Sequence, residues 1–331
     1  MSYERALKIE GRVLGHGHPD YANTMYHLGT VLHLQGKEKD SETLIRESIR
    51  ILEENGLGET TTCIRRMRYF SQMLLSSNQL VEAENVQRKM LHTLELSKGW
   101  GSLDTVVAAE GLALTLQALG NLTEAKDLLE RCLEARKKIL PENHFQVAAN
   151  MLHLARLGVL NTNRLRKLNI TEARAELDKA KLSVDNAIRI AKEALDCSRK
   201  NQNSIRSSSV PNGSENDLHM ALTILLQSLD FIGLLDVTKR ELLEAAQESA
   251  FPFDAELALR DCISIFKEPA TRSLLNSPDV KAEYLSSLKH LANIVTENID
   301  HKTDKSGALK ELRDEVQRIQ VELSPSRRQR H

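Results

Sequence analysis

The chain has 331 residues, 41% of them hydrophobic but only 4% aromatic, with seven prolines. This supplies a sizeable core, is thin in the residues that favour strands and rich in helix formers, so an all-α fold is expected. The 45 basic and 46 acidic side chains leave a net charge of −1, which excludes a one-signed field that would draw in nucleic acid or an acidic membrane. Cys63, Cys132, Cys197 and Cys262 are far apart and form no CxxC pair, which argues against a structural zinc site or a disulfide scaffold and for reduced thiols. No apolar run approaches the roughly 20 residues that span a bilayer, and no signal peptide is visible. The expected location is cytoplasmic, or organellar if a targeting segment stands upstream of residue 1.

In chain order, the opening segment YERALKIEGRVLG reads as a helix whose Ala6-Leu7 registers with Ser48-Ile49, 42 residues on. It is therefore expected to be the second helix of a pair whose first helix is missing from the sequence. The next helix, in YANTMYHLGTVLHLQG, carries Leu28-Gly29, and the same large-small pair returns every 42 residues as Phe70-Ser71, Leu112-Ala113 and Leu154-Ala155. Leu32, Leu74 and Leu116 follow four residues after the first three large residues, on the same helical face, while the fourth copy has Gly158 there and a less regular face. Second helices keep the stride through Ser41, Ala83 and Ala125, and through Ser48, Met90 and Cys132. The turns Gln35-Gly36-Lys37, Ser77-Asn78-Gln79 and Leu119-Gly120-Asn121 carry the Gly and Asn that end helices. LGHGHPDYA at 14–22 aligns with LPENHFQVA at 140–148, His18 on His144. A helix pair cannot bury its apolar face alone, and a small residue lets a neighbouring backbone approach. Stacking therefore gives a solenoid with a concave face built from first helices.

These residues resemble tetratricopeptide repeats. The 42-residue step, YERALKIEGRVLGHGHPDYANT and the QGK turn are similar to the kinesin light chain subfamily. The resemblance covers residues 3–158 and continues loosely to 195, where NITEARAELDKAK echoes NLTEAKDLLERCL at a spacing of 48, the extra six residues falling in TNRLRK between the helices. It implies a right-handed α-α superhelical solenoid of helix pairs, an interaction scaffold and no chemistry. Its narrower implication is a kinesin light chain-like cargo or microtubule-associated adaptor. The asparagines that the subfamily carries before its large-small pair are absent; Tyr26, Arg68, Glu110 and Leu152 stand three before the small position.

The array is expected over 3–195, followed by a flexible Ser- and Asn-rich linker over 196–217. A helical region over 218–322 follows. DLHMALTILLQSLDFIGLLDVTKRELLEAAQ reads as a helix pair and degenerate repeat, FDAELALRDCISIF and DVKAEYLSSLKHLANIV as further helices, and SGALKELRDEVQRIQVEL as a capping helix. The basic tail, 323–331, is expected to be disordered.

On the concave face the expected groove residues are Asn23, Tyr26, Thr30, Arg65, Arg68, Gln72 and Arg156. Arginine presents a planar fork to carboxylates, so the expected ligand is an acidic or C-terminal peptide segment of a protein partner. The alternative is a solvated face whose arginines pair with neighbouring glutamates. His16, His18, His27 and His33 form a weak metal candidate, since His27 and His33 diverge around the helix. Thr123 and Thr171, each before Glu-Ala, read as N-caps. No phosphate loop, nucleophile elbow or HExxH is present. No cofactor, metal or catalytic group is expected, and an enzyme reading rests only on the weakly legible residues 218–331.

Overall fold

His18, Thr60, Ser102 and His144 stand 42 residues apart, and in the computed structural model each is the N-cap of a helix. The structure describes residues 2–204, 212–245, 260–261, 263–265, 267, 277–297 and 306–323, and every regular element among them is helical. His18 Nδ1 accepts from the Asp20 amide at 3.1 Å, Thr60 Oγ1 from Cys63 at 3.3 Å, Ser102 Oγ from Asp104 at 3.3 Å and His144 Nδ1 from Gln146 at 3.2 Å. Each bond satisfies a backbone donor that has no partner inside its helix.

The chain divides into two compact units, Met1–Ile139 and Leu140–His331. Unit 1 holds α1 (Ser2–Val13), α2 (Pro19–Leu34), α3 (Glu38–Glu54), α4 (Thr61–Ser76), α5 (Leu80–Lys98), α6 (Leu103–Ala118) and α7 (Leu122–Ile139). Each packs against the next in sequence. The turns within pairs repeat with the stride. Gly36, Asn78 and Gly120 take φ of 75°, 58° and 85°, and the amides of Lys37, Gln79 and Asn121 reach back to the carbonyls of Leu32, Leu74 and Leu116 at 3.0, 2.8 and 2.9 Å. This left-handed closure pairs carbonyls that a helix end would otherwise leave open.

The expected small residues lie where backbones meet. Gly29, Ser71 and Ala113 are buried, as are Ser41, Ala83 and Ala125. Ser41 Oγ donates to the Gly29 carbonyl at 2.7 Å across α2 and α3. The outer surface of the second helices carries its own repeat of ion pairs. Arg46 of α3 meets Glu82 of α5 at 2.8 Å, and Arg88 of α5 meets Glu124 of α7 at 2.5 Å. Glu53 of α3 meets Lys89 of α5 at 2.6 Å, and Glu95 of α5 meets Arg131 of α7 at 3.5 Å.

Unit 2 holds α8 (Phe145–Leu165), α9 (Ile170–Ser204), α10 (Asn212–Ala245), α11 (Pro278–Glu297) and α12 (Ser306–Leu323). α9 packs on α8 and α10, α10 also on α8 and α11, and α11 on α12. Four expectations change here. The extra residues of the 48-residue step lengthen α8, which has 21 residues against 16 in α2, α4 and α6; Thr162–Leu165 of TNRLRK are helix, not connector. The expected linker is helical over 196–204 and 212–217, and 205–211 lie outside the described residues. The expected pair in 217–247 is one continuous helix through 245. Where LGNLTE turns on Gly120, LLDVTK carries Leu235, which is 4% exposed and part of the core. A buried branched side chain gives no left-handed turn, so the helix runs on. Finally, Asp217–Glu244 is long and apolar enough to cross a membrane by length and composition, which the expectation of no such run missed. In the structure 61% of its most apolar 18-residue window is buried, with Leu222, Leu226 and Leu229 turned inward as in a core helix.

The expected helix at 253–266 lies mostly outside the described residues, of which 260–261 and 263–265 are helical. Residues 324–331 of the expected tail also lie outside them. Thr123 and Thr171 are not caps: both lie inside helices, and Asn169 Oδ1 takes the Glu172 amide at 3.3 Å and the Thr171 hydroxyl at 2.7 Å.

Candidate functional site

The first helices of unit 1 present one stripe of residues in register. Asn23, Tyr26 and Thr30 of α2 correspond to Arg65, Arg68 and Gln72 of α4 and to Val107, Glu110 and Leu114 of α6. Spacings of three and four keep each trio on one helical face. Arg68, Gln72, Val107, Glu110 and Leu114 together line a cavity of about 360 Å³ whose floor is Gln87 and Met90 of α5. Sequence reasoning named the α4 members of this set and missed those of α6, although adding the stride to Arg65, Arg68 and Gln72 lands on them.

The α2 members are tied down. Arg66, 2% exposed, sends Nη1 to the carbonyls of Ala22 at 3.2 Å and Ser48 at 3.3 Å, and Nη2 to Asn23 Oδ1. Its guanidinium lies 5.1 Å from the centre of the Tyr26 ring, which meets Tyr69 edge-on at 5.9 Å. Burial raises the Tyr26 phenol above its ordinary range and lowers Arg66, which has no carboxylate to offset desolvation. Thr30 turns its hydroxyl back to the His27 carbonyl at 2.8 Å. Asn23, Tyr26 and Arg66 thus form a rigid wall rather than free ligand-reading groups.

The α4 members are not tied down. Arg65 and Gln72 are exposed and Arg68 is half-buried. Among the described residues neither Arg65 nor Arg68 forms an ion pair, whereas Arg46, Arg50, Arg88 and Arg131 on the second helices each hold a glutamate. Arg68 acts at longer range on Asp104, whose carboxyl is held below its usual range chiefly by the Lys98 ammonium. Glu110 is taken: Arg136 of α7 grips both its oxygens at 2.6 and 2.8 Å.

Arg156 lies in unit 2 and is not an open groove residue. Its Nη2 donates to Gln227 Oε1 at 3.5 Å, and Gln227 Nε2 donates to Glu283 Oε1 at 2.7 Å; burial lowers its pKa. In the same unit Asp230 meets His290 Nδ1 at 2.8 Å and accepts from Ser286 Oγ at 3.2 Å. The hydroxyl bonds the carboxylate rather than the imidazole, so this is not the nucleophile–base arrangement of a hydrolase.

The histidines have separate partners. His16 meets Tyr21 edge-on, His18 caps α2, His27 stacks on Tyr3 and His33 meets Tyr69. Among the described residues no three His, Cys, Asp or Glu side chains could hold a metal ion. Burial pushes the Cys63 thiol up to about 11 and that of Cys132 to about 12, far from a reactive thiolate.

Residues 1–54 and 105–146 each match a family described as the tetratricopeptide repeat. The chain carries tetratricopeptide repeats. The first match spans α1 to α3 and the second begins within α6, so both fall on helix pairs of the 42-residue stride. No curated protein sequence matches the chain. Among solved structures, BtubC (BKLC) from P. vanneervenii is similar at 17% identity and a TM-score of 0.45, over 63% of this chain and 75% of that one. A Podosopora anserina protein of the kinesin light chain type with nearly identical TPR-like repeats is similar at 15% identity and a TM-score of 0.43, over 76% and 99%. A form of that protein with one glutamine replaced by methionine gives 14% and 0.45, over 77% and 97%. A tetratricopeptide-repeat chain is a protein-interaction scaffold, a kind of fold that serves binding rather than catalysis.

Proposed function

We propose that the protein binds an acidic peptide segment of a partner protein along the first-helix stripe of unit 1, with Arg65 and Arg68 as its anchors. The supporting observation is the contrast between the two faces. Arg46, Arg88, Lys89 and Arg131 on the second helices are held by glutamates of an adjacent second helix, while among the described residues Arg65 and Arg68 stand without an ion pair, Arg68 on the lining of an open cavity. A guanidinium fork there can take both oxygens of a carboxylate, and the wall of Tyr26 and Arg66 keeps the surface from rearranging.

The test is affinity capture by the full chain beside the Arg65→Glu/Arg68→Glu variant, with partners identified by mass spectrometry. The expected result is a set of partners lost by the double variant at unchanged helicity, and released from the wild-type chain as salt rises. Retention of the same partners by the double variant rejects the assignment.

A further inference from the structure

Two departures from the repeat meet at one point of the cavity floor. The first is Gln87. One stride before it stands Ile45 and one stride after it Leu129, both fully buried apolar residues. Gln87 is itself 4% exposed, and its Oε1 is buried with no hydrogen-bond partner. A carboxamide at a core position is costly unless something bonds it. The second departure is Gly111. Its counterparts are His27, Tyr69 and His153; glycine leaves out a ring. A Cβ built on Gly111 would meet only Gln87 Nε2, at 3.8 Å. With no ring at 111, no side chain of that residue stands between the Gln87 amide and the cavity.

We infer that this cavity is a pocket for one carboxamide side chain, Asn or Gln, of the bound peptide, with Gln87 as the residue that reads it. The inference rests on the peptide-binding reading and adds the identity of one ligand position. The chemistry follows from what each candidate side chain could satisfy. Two carboxamides facing each other make two reciprocal N–H···O bonds, which serves the buried Oε1 and the Nε2 beside it together. Either rotamer of the Gln87 amide presents one donor and one acceptor, so the match survives a half-turn of the group. A carboxylate has no donor for Oε1. An ammonium has no acceptor for Nε2, and it would enter beneath Arg68 while the only carboxylate of the lining, Glu110, is gripped by Arg136. A hydrocarbon leaves both ends unserved. Leu75, Met90, Val107 and Leu114 cover the methylenes of the incoming side chain, and about 360 Å³ is within the size of small-ligand clefts, roughly 300–1,000 Å³.

The experiment uses the full chain, ¹⁵N-labelled, with the Gln87 side-chain amide signals assigned by their loss in Gln87→Met. The probes are N-acetyl-glutamine N-methylamide and its glutamate, lysine and norleucine counterparts. The expected result is a saturable movement of the Gln87 amide signals with the glutamine probe, and at least ten-fold weaker binding of the other three. Gly111→His, which restores the side chain found at residues 27 and 153, should abolish the movement. Gln87→Met should bind the norleucine probe at least as well as the glutamine probe. Equal binding of glutamine and norleucine probes by the wild-type chain, or Gln87 signals that no probe moves, overturns the inference. If either occurs while partner capture still depends on Arg65 and Arg68, the carboxamide pocket falls and the acidic-peptide reading stands.

Discussion

Arg136 of α7 and Glu110 of α6 are joined by two parallel hydrogen bonds of 2.6 and 2.8 Å, with the Arg136 side chain 2% exposed. Glu110 faces the cavity on one side and is consumed by this arginine on the other. Removing Glu110 takes from the buried Arg136 guanidinium the two charge-assisted bonds that offset its desolvation. Glu110→Ala should therefore cost about 3–5 kcal/mol, read as a lower midpoint in urea unfolding. Replacing both members together, Glu110→Leu with Arg136→Met, should cost far less than the single change.

Gly29 and Gly111 should respond oppositely to alanine. A Cβ on Gly29 would sit 2.8 Å from Ile45 Cγ1 and 3.3 Å from the Ser41 carbonyl. The helix propensity gained by losing glycine, up to about 1 kcal/mol, is outweighed by forcing α2 from α3, typically 1–3 kcal/mol. Gly111→Ala meets nothing closer than 3.8 Å and should stabilise by roughly 0.5–1 kcal/mol. Thermal melts of the two variants decide both signs.

The His290 imidazole is raised above its ordinary value, chiefly by its hydrogen bond to Asp230, with burial opposing. A folded-state pKa above the unfolded one means that the protonated form is favoured by folding. The stabilisation is complete below about 6.5, the unfolded value, and is lost as pH rises through the folded value. Unfolding midpoints at pH 5.5 and 8.5 should differ more in the wild-type chain than in Asp230→Asn, with the wild type favoured at the lower pH.

Cys63 and Cys132 are free and buried, with thiols pushed up to about 11 and about 12 by burial. In a Cys197→Ser/Cys262→Ser background, neither should react with a thiol reagent at pH 7.5 in the folded protein. Both should react in urea. Rapid labelling of the folded form would contradict the packing around α4 and α7.

The stride was the legible part of the sequence. Small residues at 29, 71 and 113, turn residues at 36, 78 and 120 and the cap at 144 below that at 18 are repeated chemistry, and repeated backbone geometry follows from them. The same addition would have found Thr60, Ser102, Val107 and Leu114. What stayed illegible is what depends on side-chain partners or on a turn that fails to form. Arg66 and Arg65 are neighbours in sequence, yet one is buried under Tyr26 and the other open to solvent. Arg156 looks like a groove arginine until Gln227, 71 residues later, is found against it. Leu235 stands where glycine would have broken α10. Gln87 carried a signal as an amide between Ile45 and Leu129, and it becomes meaningful only once Gly111 is seen above it.

The ion pairs that cross from one second helix to the next carry the rhythm of the chain in their own numbering. Arg46–Glu82 becomes Arg88–Glu124, and Glu53–Lys89 becomes Glu95–Arg131, when each residue is moved on by one repeat. α3 and α5 therefore each offer the charges that the following copy requires. A gene that duplicated one such block in frame would insert a layer whose clasps match both neighbours at once. Lengthening by whole repeats is an evolutionary step for which this surface is already wired, whereas residues inserted between the paired positions of a second helix would set these charges out of register.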